Sequence, residues 1–276
     1  EWHLDSKADI QFMFQFKQPV EVWNGGGMVG VYYIDGFSRP SLHLRDIQCY
    51  DAIGVLDEIP FGGGVYTNKS AKALLGEIVG ADFGLDLEVE DAALTGAILP
   101  GSKRAAMQQV LFAWGACVST DGRYTLRVFH PPTEGAAIGP GRTYAGASVE
   151  TAAIVTGVQV TAHTYTPDPN GSVEIGGGKY RDTTAVYSVT NPDVTSNDKE
   201  NVVVVTNATL VSPDRAQACA QRLYEWYSRR DTAKARIVWQ GEGLGGRVAL
   251  PTPWGTEVAG NISKMDITLS NTVAAN

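Results

Sequence analysis

Apolar residues in this chain come in short alternating runs, and glycine or proline cuts each run before it grows long. There are 31 glycines and 13 prolines among 276 residues. Glycine weakens a regular element through backbone entropy, and proline removes an amide donor, so clusters of either end the segment before them. Alternation of apolar with polar or β-branched residues over 10–16, 20–23, 30–35 and 42–47 predicts strands with one face buried and one face wet. Many short antiparallel strands close most readily as a barrel or a small sandwich. The fold class predicted is α+β, mainly β: β-barrel-like domains with an inserted small α/β domain. The length exceeds what one compact core usually holds, which predicts two or three domains.

Four segments depart from the alternation. Asp51 opens a short helix-like stretch through Leu56, before a break at Gly62-Gly63-Gly64. Ser70 is placed to cap a helix with Ala71, Leu74, Leu75 and Ile78 on one face and Gly80 at its end. After Pro100-Gly101-Ser102, the residues Met107, Val110, Leu111, Trp114 and Val118 form one apolar stripe at helical spacing. Asp121-Gly122 then turns the chain into an alternating strand over 124–129, which completes an α/β unit. Ser212-Pro213 opens a further helix by cap and first-turn proline, with Ala216, Ala220, Leu223, Tyr224 and Tyr227 as its packed face.

These elements divide the chain into a β-rich part at 1–60, an α/β part with its linker at 61–146, and a barrel-like part at 147–276. Residues 130–146 are rich in proline and glycine and read as a crossing between domains. A long strand is expected over 154–165. The stretch 166–199 is dominated by Pro, Gly, Asp, Asn, Ser and Thr around a short β segment at 185–189, which predicts a protruding polar loop or hairpin. Strands at 202–205, 233–240, 247–250 and 262–269 complete the tail.

The formal charge is −8, which argues against a protein that wraps duplex DNA by neutralising phosphates. Residues 1–100 carry a net −9 and the remainder a net +1, so the acidity belongs to one end. No apolar run approaches the roughly 18 residues that span a bilayer, and no membrane span is expected. Cys49, Cys117 and Cys219 are odd in number and form no Cys-x-x-Cys pair, which predicts buried free thiols and synthesis in a reducing cytoplasm. The four histidines lack zinc-site spacing, and no metal or other cofactor is expected.

Catalytic signatures are weak. Residues 62–70 nearly read as a phosphate loop, but Asn68 stands where glycine must precede the lysine. Asp82, Asp86, Glu88, Glu90 and Asp91 form a run of carboxylates with neither a paired base nor calcium-loop spacing. Neither a nucleophile elbow nor a zincin motif occurs. The aromatics Tyr224, Trp226, Tyr227, Trp239 and Trp254 read as packing and subunit contact, with a sugar-stacking platform as the rival reading.

One segment carries a family likeness. Residues 99–116, with Lys103-Arg104-Ala105-Ala106-Met107-Gln108-Gln109 running into Ala113-Trp114-Gly115-Ala116 and then the strand at 124–129, resemble a helix and strand of tail proteins from long-tailed phages. Gly30-Val31-Tyr32-Tyr33-Ile34, Asp51-Ala52-Ile53-Gly54, Gly63-Gly64-Val65-Tyr66, Tyr224-x-x-Tyr227-x-Arg229-Arg230 and Pro253-Trp254-Gly255 with Gly260-Asn261-Ile262-Ser263-Lys264-Met265-Asp266-Ile267 share the likeness.

The chain is thus similar to the baseplate or tail-tip hub family. The resemblance implies a non-enzymatic virion protein, made in the bacterial cytoplasm, that forms a homo-oligomeric ring, a trimer. The ring joins the tail tube or distal tail protein to the tip, spike or fibre apparatus and lets DNA pass without specific binding. On that reading Asp82, Asp86 and Glu88 face the lumen, and Ile237 and Trp239 belong to the subunit interface together with the strand at 10–16. A receptor- or glycan-binding module that uses Trp254 is the alternative.

Overall fold

The computed structural model describes residues 2–5, 17–24, 27–41, 44–120, 124–195, 197–268 and 274–275. The expected strand at 10–16, the start of the one at 42–47, the Asp121-Gly122 turn and residue 269 of the last strand lie outside the described residues.

The chain is mainly strand with four helices among the described residues. It opens with a four-stranded antiparallel sheet in the order Trp2–Asp5, Leu44–Tyr50, Gly27–Ser38, Pro19–Asn24. Helix α1 (Ala52–Asp57) comes next, because the Asp51 carboxylate accepts from the Gly54 amide at 2.8 Å. Helix α2 (Ala71–Val79) starts where the Ser70 hydroxyl accepts from the Ala73 amide, and helix α3 (Lys103–Trp114) starts in the same way at Ser102 and Ala105. Each cap satisfies an amide that the first turn leaves unpaired. Leu74, Leu75, Ile78, Met107 and Val110 are almost fully buried, as the apolar stripes predict.

The stripe of α3 is shorter than its spacing suggests. Gly115 adopts a left-handed conformation at φ +86° and its amide closes on Leu111 O, so Val118 falls on the strand Cys117–Ser119 instead of a fourth helical turn. That strand pairs antiparallel with Thr125–Phe129, which runs parallel to Gly84–Leu87.

The polar stretch 166–199 takes the hairpin form of the expectation, with a strand longer than the segment at 185–189. The strand Gly157–Pro167 pairs antiparallel with the thirteen-residue strand Gly178–Thr190, and Val173–Ile175 adds to its far side. The expected loop is therefore a long hairpin whose serines and threonines keep the exposed face wet. Val202–Val205 runs parallel to Gly157–Pro167 on the other side, and helix α4 (Pro213–Ser228) covers the buried face of this sheet.

The main core crosses the boundary expected near 147. One buried cluster runs from Val31 through α1, α2 and α3 to Val158, Val160, Leu210, Ala216 and Ala220. Its seam is a backbone crossing. The Ala97 amide donates to Thr209 O at 2.9 Å and the Thr209 hydroxyl donates to Ala97 O at 2.8 Å. Gly96, at φ +147°, leaves the room: a β-carbon there would stand 2.7 Å from Thr209 O and 2.8 Å from Leu210 Cα. A smaller second cluster, centred on Ile138 and Ile237, gathers residues from both sides of the 157–228 segment.

Gly96→Ala is expected to cost more than about 2 kcal/mol, because both the backbone angle and the facing backbone oppose a side chain. Gly76→Ala, inside α2 with open space around the new methyl, is expected to add roughly 0.5–1 kcal/mol. Paired thermal melts check both signs.

Candidate functional site

The second cluster lines an open half-barrel. The strand Arg247–Pro251 lies between Ala136–Ala137 and Glu257–Asn261, and Ser148–Thr151 pairs with Asp231–Lys234. The Ala147 amide donates to Pro251 O at 2.8 Å and links the two sheets on one side. On the other side no ladder joins Asp231–Lys234 to Glu257–Asn261 among the described residues, and a cavity of about 1690 Å³ opens there. Ile138, Ile237, Val248 and Leu250 supply its apolar lining.

Helix α4 delivers the chemistry. It starts in the main core at Ala216 and Ala220 and ends at the trough, where Trp226 and Arg229 line the cavity. Two arginines of α4, Arg215 and Arg222, reach carbonyls at the end of α3; Arg222 Nη2 donates to Phe112 O at 3.1 Å. Cations at a helix C-terminus satisfy orphan carbonyls and complement its dipole. Trp254, on the turn after Pro251, is 64% exposed at the trough, and Trp226 is 50% exposed.

Cations are concentrated in this trough. Lys234 pairs with Glu150, Lys264 with Asp266, and Arg142 with Glu242. Arg236 lies over the Tyr144 ring at 4.9 Å, and Arg230 Nε donates to Ala152 O at 2.9 Å. Arg229 Nη1 and Arg247 Nη1 both stand 3.4 Å from the same neutral oxygen, Asn261 Oδ1. Asn261 Nδ2 in turn donates to Pro132 O at 3.0 Å and Gly245 O at 3.1 Å, so two backbone carbonyls fix which face the amide presents. This arrangement can hold an anion; it offers no nucleophile with an adjacent base.

The residues singled out from the sequence fall in three places. Trp254 is exposed at the trough as the alternative reading requires. Ile237 and Trp239 lie beyond the strand that forms here, Asp231–Lys234: Ile237 is 9% exposed against Ile138 and lines the trough, and the partly buried Trp239 donates from Nε1 to Glu242 O at 2.8 Å. They hold the half-barrel together from inside. The acids lie on the other part of the chain. Asp82 pairs with Lys103 at 2.6 Å, and Glu88 takes two hydrogen bonds from Arg127 at 2.8 Å, which hold its carboxyl below the ordinary range. Asp86 is exposed on the intervening strand. Two of the three proposed lumen charges are thus matched by the chain's own cations.

The near-phosphate loop is a strand, Gly64–Ser70, paired with Ala93–Ile98, and its Lys69 bonds Glu77. Burial pushes all three cysteine thiols up, although only Cys219 is fully buried. His163 spends both ring nitrogens within the fold, Nδ1 on Asp182 at 2.8 Å and Nε2 on Thr206 O at 2.9 Å. Among the described residues no group of three metal-ligating side chains gathers, and no helix is long and apolar enough to cross a membrane. The arginines were missed as a site. Their signal was the Arg229-Arg230 pair just past a helix and Asn261 in the tail motif, and its meaning depends on distances that only the fold supplies.

Solved structures share this arrangement of elements. The 43 kDa tail protein of prophage MuSo2 from Shewanella oneidensis superposes with a TM-score of 0.65 at 12% identity, over 99% of this chain and 86% of that one. This chain has the fold of phage tail proteins. A tail protein from Neisseria meningitidis MC58 gives 0.66 at 14% identity over 94% and 82%, and a prophage tail protein from Listeria monocytogenes EGD-e gives 0.57 at 13% over 99% and 82%. No protein-family model matches the sequence, and no curated protein matches it. The tail-protein fold accounts for the mainly β class with its α/β part.

Glu242 anchors the half-barrel. Burial opposes its charge, but the Gln240 amide and Arg142 outweigh that and hold its carboxyl below the ordinary value of 4.5. A depressed folded value adds stability above the unfolded value, and that stability is lost as pH falls through the folded one. Glu242→Gln is therefore expected to be less stable than the parent at pH 7, with the gap closing below pH about 4. Melts across pH 3–7 check this.

Proposed function

We propose that this chain is a non-enzymatic structural protein of a phage tail tip or baseplate hub. In this reading it forms a threefold ring that connects the tail tube or distal tail protein to the tip, spike or fibre apparatus and lets DNA pass. The observation that carries the reading is the tail-protein fold, shared over nearly the whole chain with tail proteins from three bacteria, two of them of prophage origin. An open half-barrel with strand edges that have no partner among the described residues adds to it, because such edges are templates for another chain. A closed ring needs a heterologous contact whose rotation returns after three copies. Light scattering over a hundredfold concentration range is expected to give a trimer of constant mass; a monomer at every concentration overturns the ring.

Trp254 and Trp226, both exposed along the trough, favour one other reading, a glycan-binding module of the tail tip. It predicts binding on a glycan array that Trp254→Ala removes without lowering Tm, and an array with no hits removes it.

A further inference from the structure

We infer that Arg229, Arg247 and Asn261 form a carboxylate seat, and that its occupant is Glu21 on the edge strand Pro19–Asn24 of a second copy of this chain. The inference rests on the self-association proposed above and names the surfaces that make it.

The seat is prepared for an anion. Two guanidiniums converge on one amide oxygen, at 3.4 Å each, and the amide is held from behind by two backbone carbonyls. Neither arginine has a carboxylate partner among the described residues. A neutral oxygen at that distance compensates two adjacent positive charges poorly, whereas a carboxylate takes parallel hydrogen bonds from a guanidinium and neutralises it. Arg230 and Arg236, spent on a carbonyl and a ring face, add positive potential along the same wall. The trough also carries strand edges, since Asp231–Lys234 and Glu257–Asn261 each pair on one side only among the described residues.

The complementary surface is on the same chain. Residues 1–100 carry a net −9, yet several of their described acids are already matched: Asp57 by Arg104, Glu77 by Lys69, Asp82 by Lys103, Glu88 by Arg127. Glu21 has neutral partners, the Trp23 indole and the Tyr124 hydroxyl, each at 3.1 Å. Its strand pairs only with Gly27–Ser38 among the described residues, and Trp23 stands beside it 57% exposed. An exposed carboxylate and indole, on a strand whose second edge has no partner among the described residues, match a trough that offers two guanidiniums and two exposed indoles. Head-to-tail repetition of this contact is heterologous, as a ring requires.

Charge exchange tests it. Arg229→Glu with Arg247→Glu is expected to weaken self-association about tenfold or more, as loss of a buried interfacial charge pair does, and Glu21→Arg is expected to do the same. All three changes in one chain are expected to restore association, which a variant that merely misfolds cannot do. A second measurement needs no variant: carbodiimide coupling of mixed ¹⁴N and ¹⁵N chains is expected to link acids of the 19–35 region in one copy to Lys234 or Lys264 in another. Association that ignores both reversals, or intermolecular links only elsewhere, overturns the seat and leaves the ring standing. Loss of DNA or anionic-polysaccharide binding in the arginine variant, with self-association intact, overturns the occupant. A chain that is monomeric throughout overturns both readings.

Discussion

Helix α4 and the half-barrel beyond it take their position from a crossing of two backbones at Gly96. The strand Ala93–Ile98 meets residues 208–211 with no side chain between them, and two hydrogen bonds at Ala97 and Thr209 lock the crossing. That contact sets where α4 begins, and the 16-residue length of α4 sets where it ends. Arg215 and Arg222 fasten the helix to the end of α3 on the way, satisfying carbonyls that a helix end leaves unpaired. The tryptophan and arginine at its far end then arrive at the trough as a geometric consequence. A disturbance at Gly96 therefore reaches a surface that shares no contact with it.

Intrachain ion pairs recur in both parts of the chain, and two arginines of the half-barrel stand apart from them. In the amino-terminal part, acids meet cations of the same chain at 2.6–3.2 Å, as Asp82, Glu88 and Asp57 do. Such pairs in solvent contribute little stability, but they remove net charge from the face on which they lie. In the half-barrel, Arg229 and Arg247 converge on an amide instead. Two guanidiniums thus stand beside an open apolar cavity with no carboxylate partner among the described residues.

Helix caps were the most legible part of the sequence, because a cap is local chemistry. Asp51, Ser70, Ser102 and Ser212-Pro213 all start helices, and Gly80 and Gly115 both end them. The α3 stripe extended too far in the sequence, since helical spacing continues through Val118 while Gly115 ends the helix by its left-handed angle. Residues 178–190 were hidden for a different reason. Their threonines, serines and charged residues carry no buried face of their own, and the strand forms because Gly157–Pro167 supplies eleven residues of pairing. The 233–240 segment misled in the opposite direction, its apolar residues packing inward as part of a half-barrel where an edge was expected.

The sequence by itself determined the helix starts, the apolar faces of α2 and α3, the mainly β class and the uneven charge, because each depends on composition or on neighbours within a few residues. Only the tertiary structure decided which acids are neutralised, that Ile237 and Trp239 pack into the second cluster, and that Arg229, Arg247 and Asn261 meet. Those outcomes join residues up to 129 positions apart, as in the bond from Asn261 to Pro132, and no local pattern encodes a distance that the packing of α4 against the core sets.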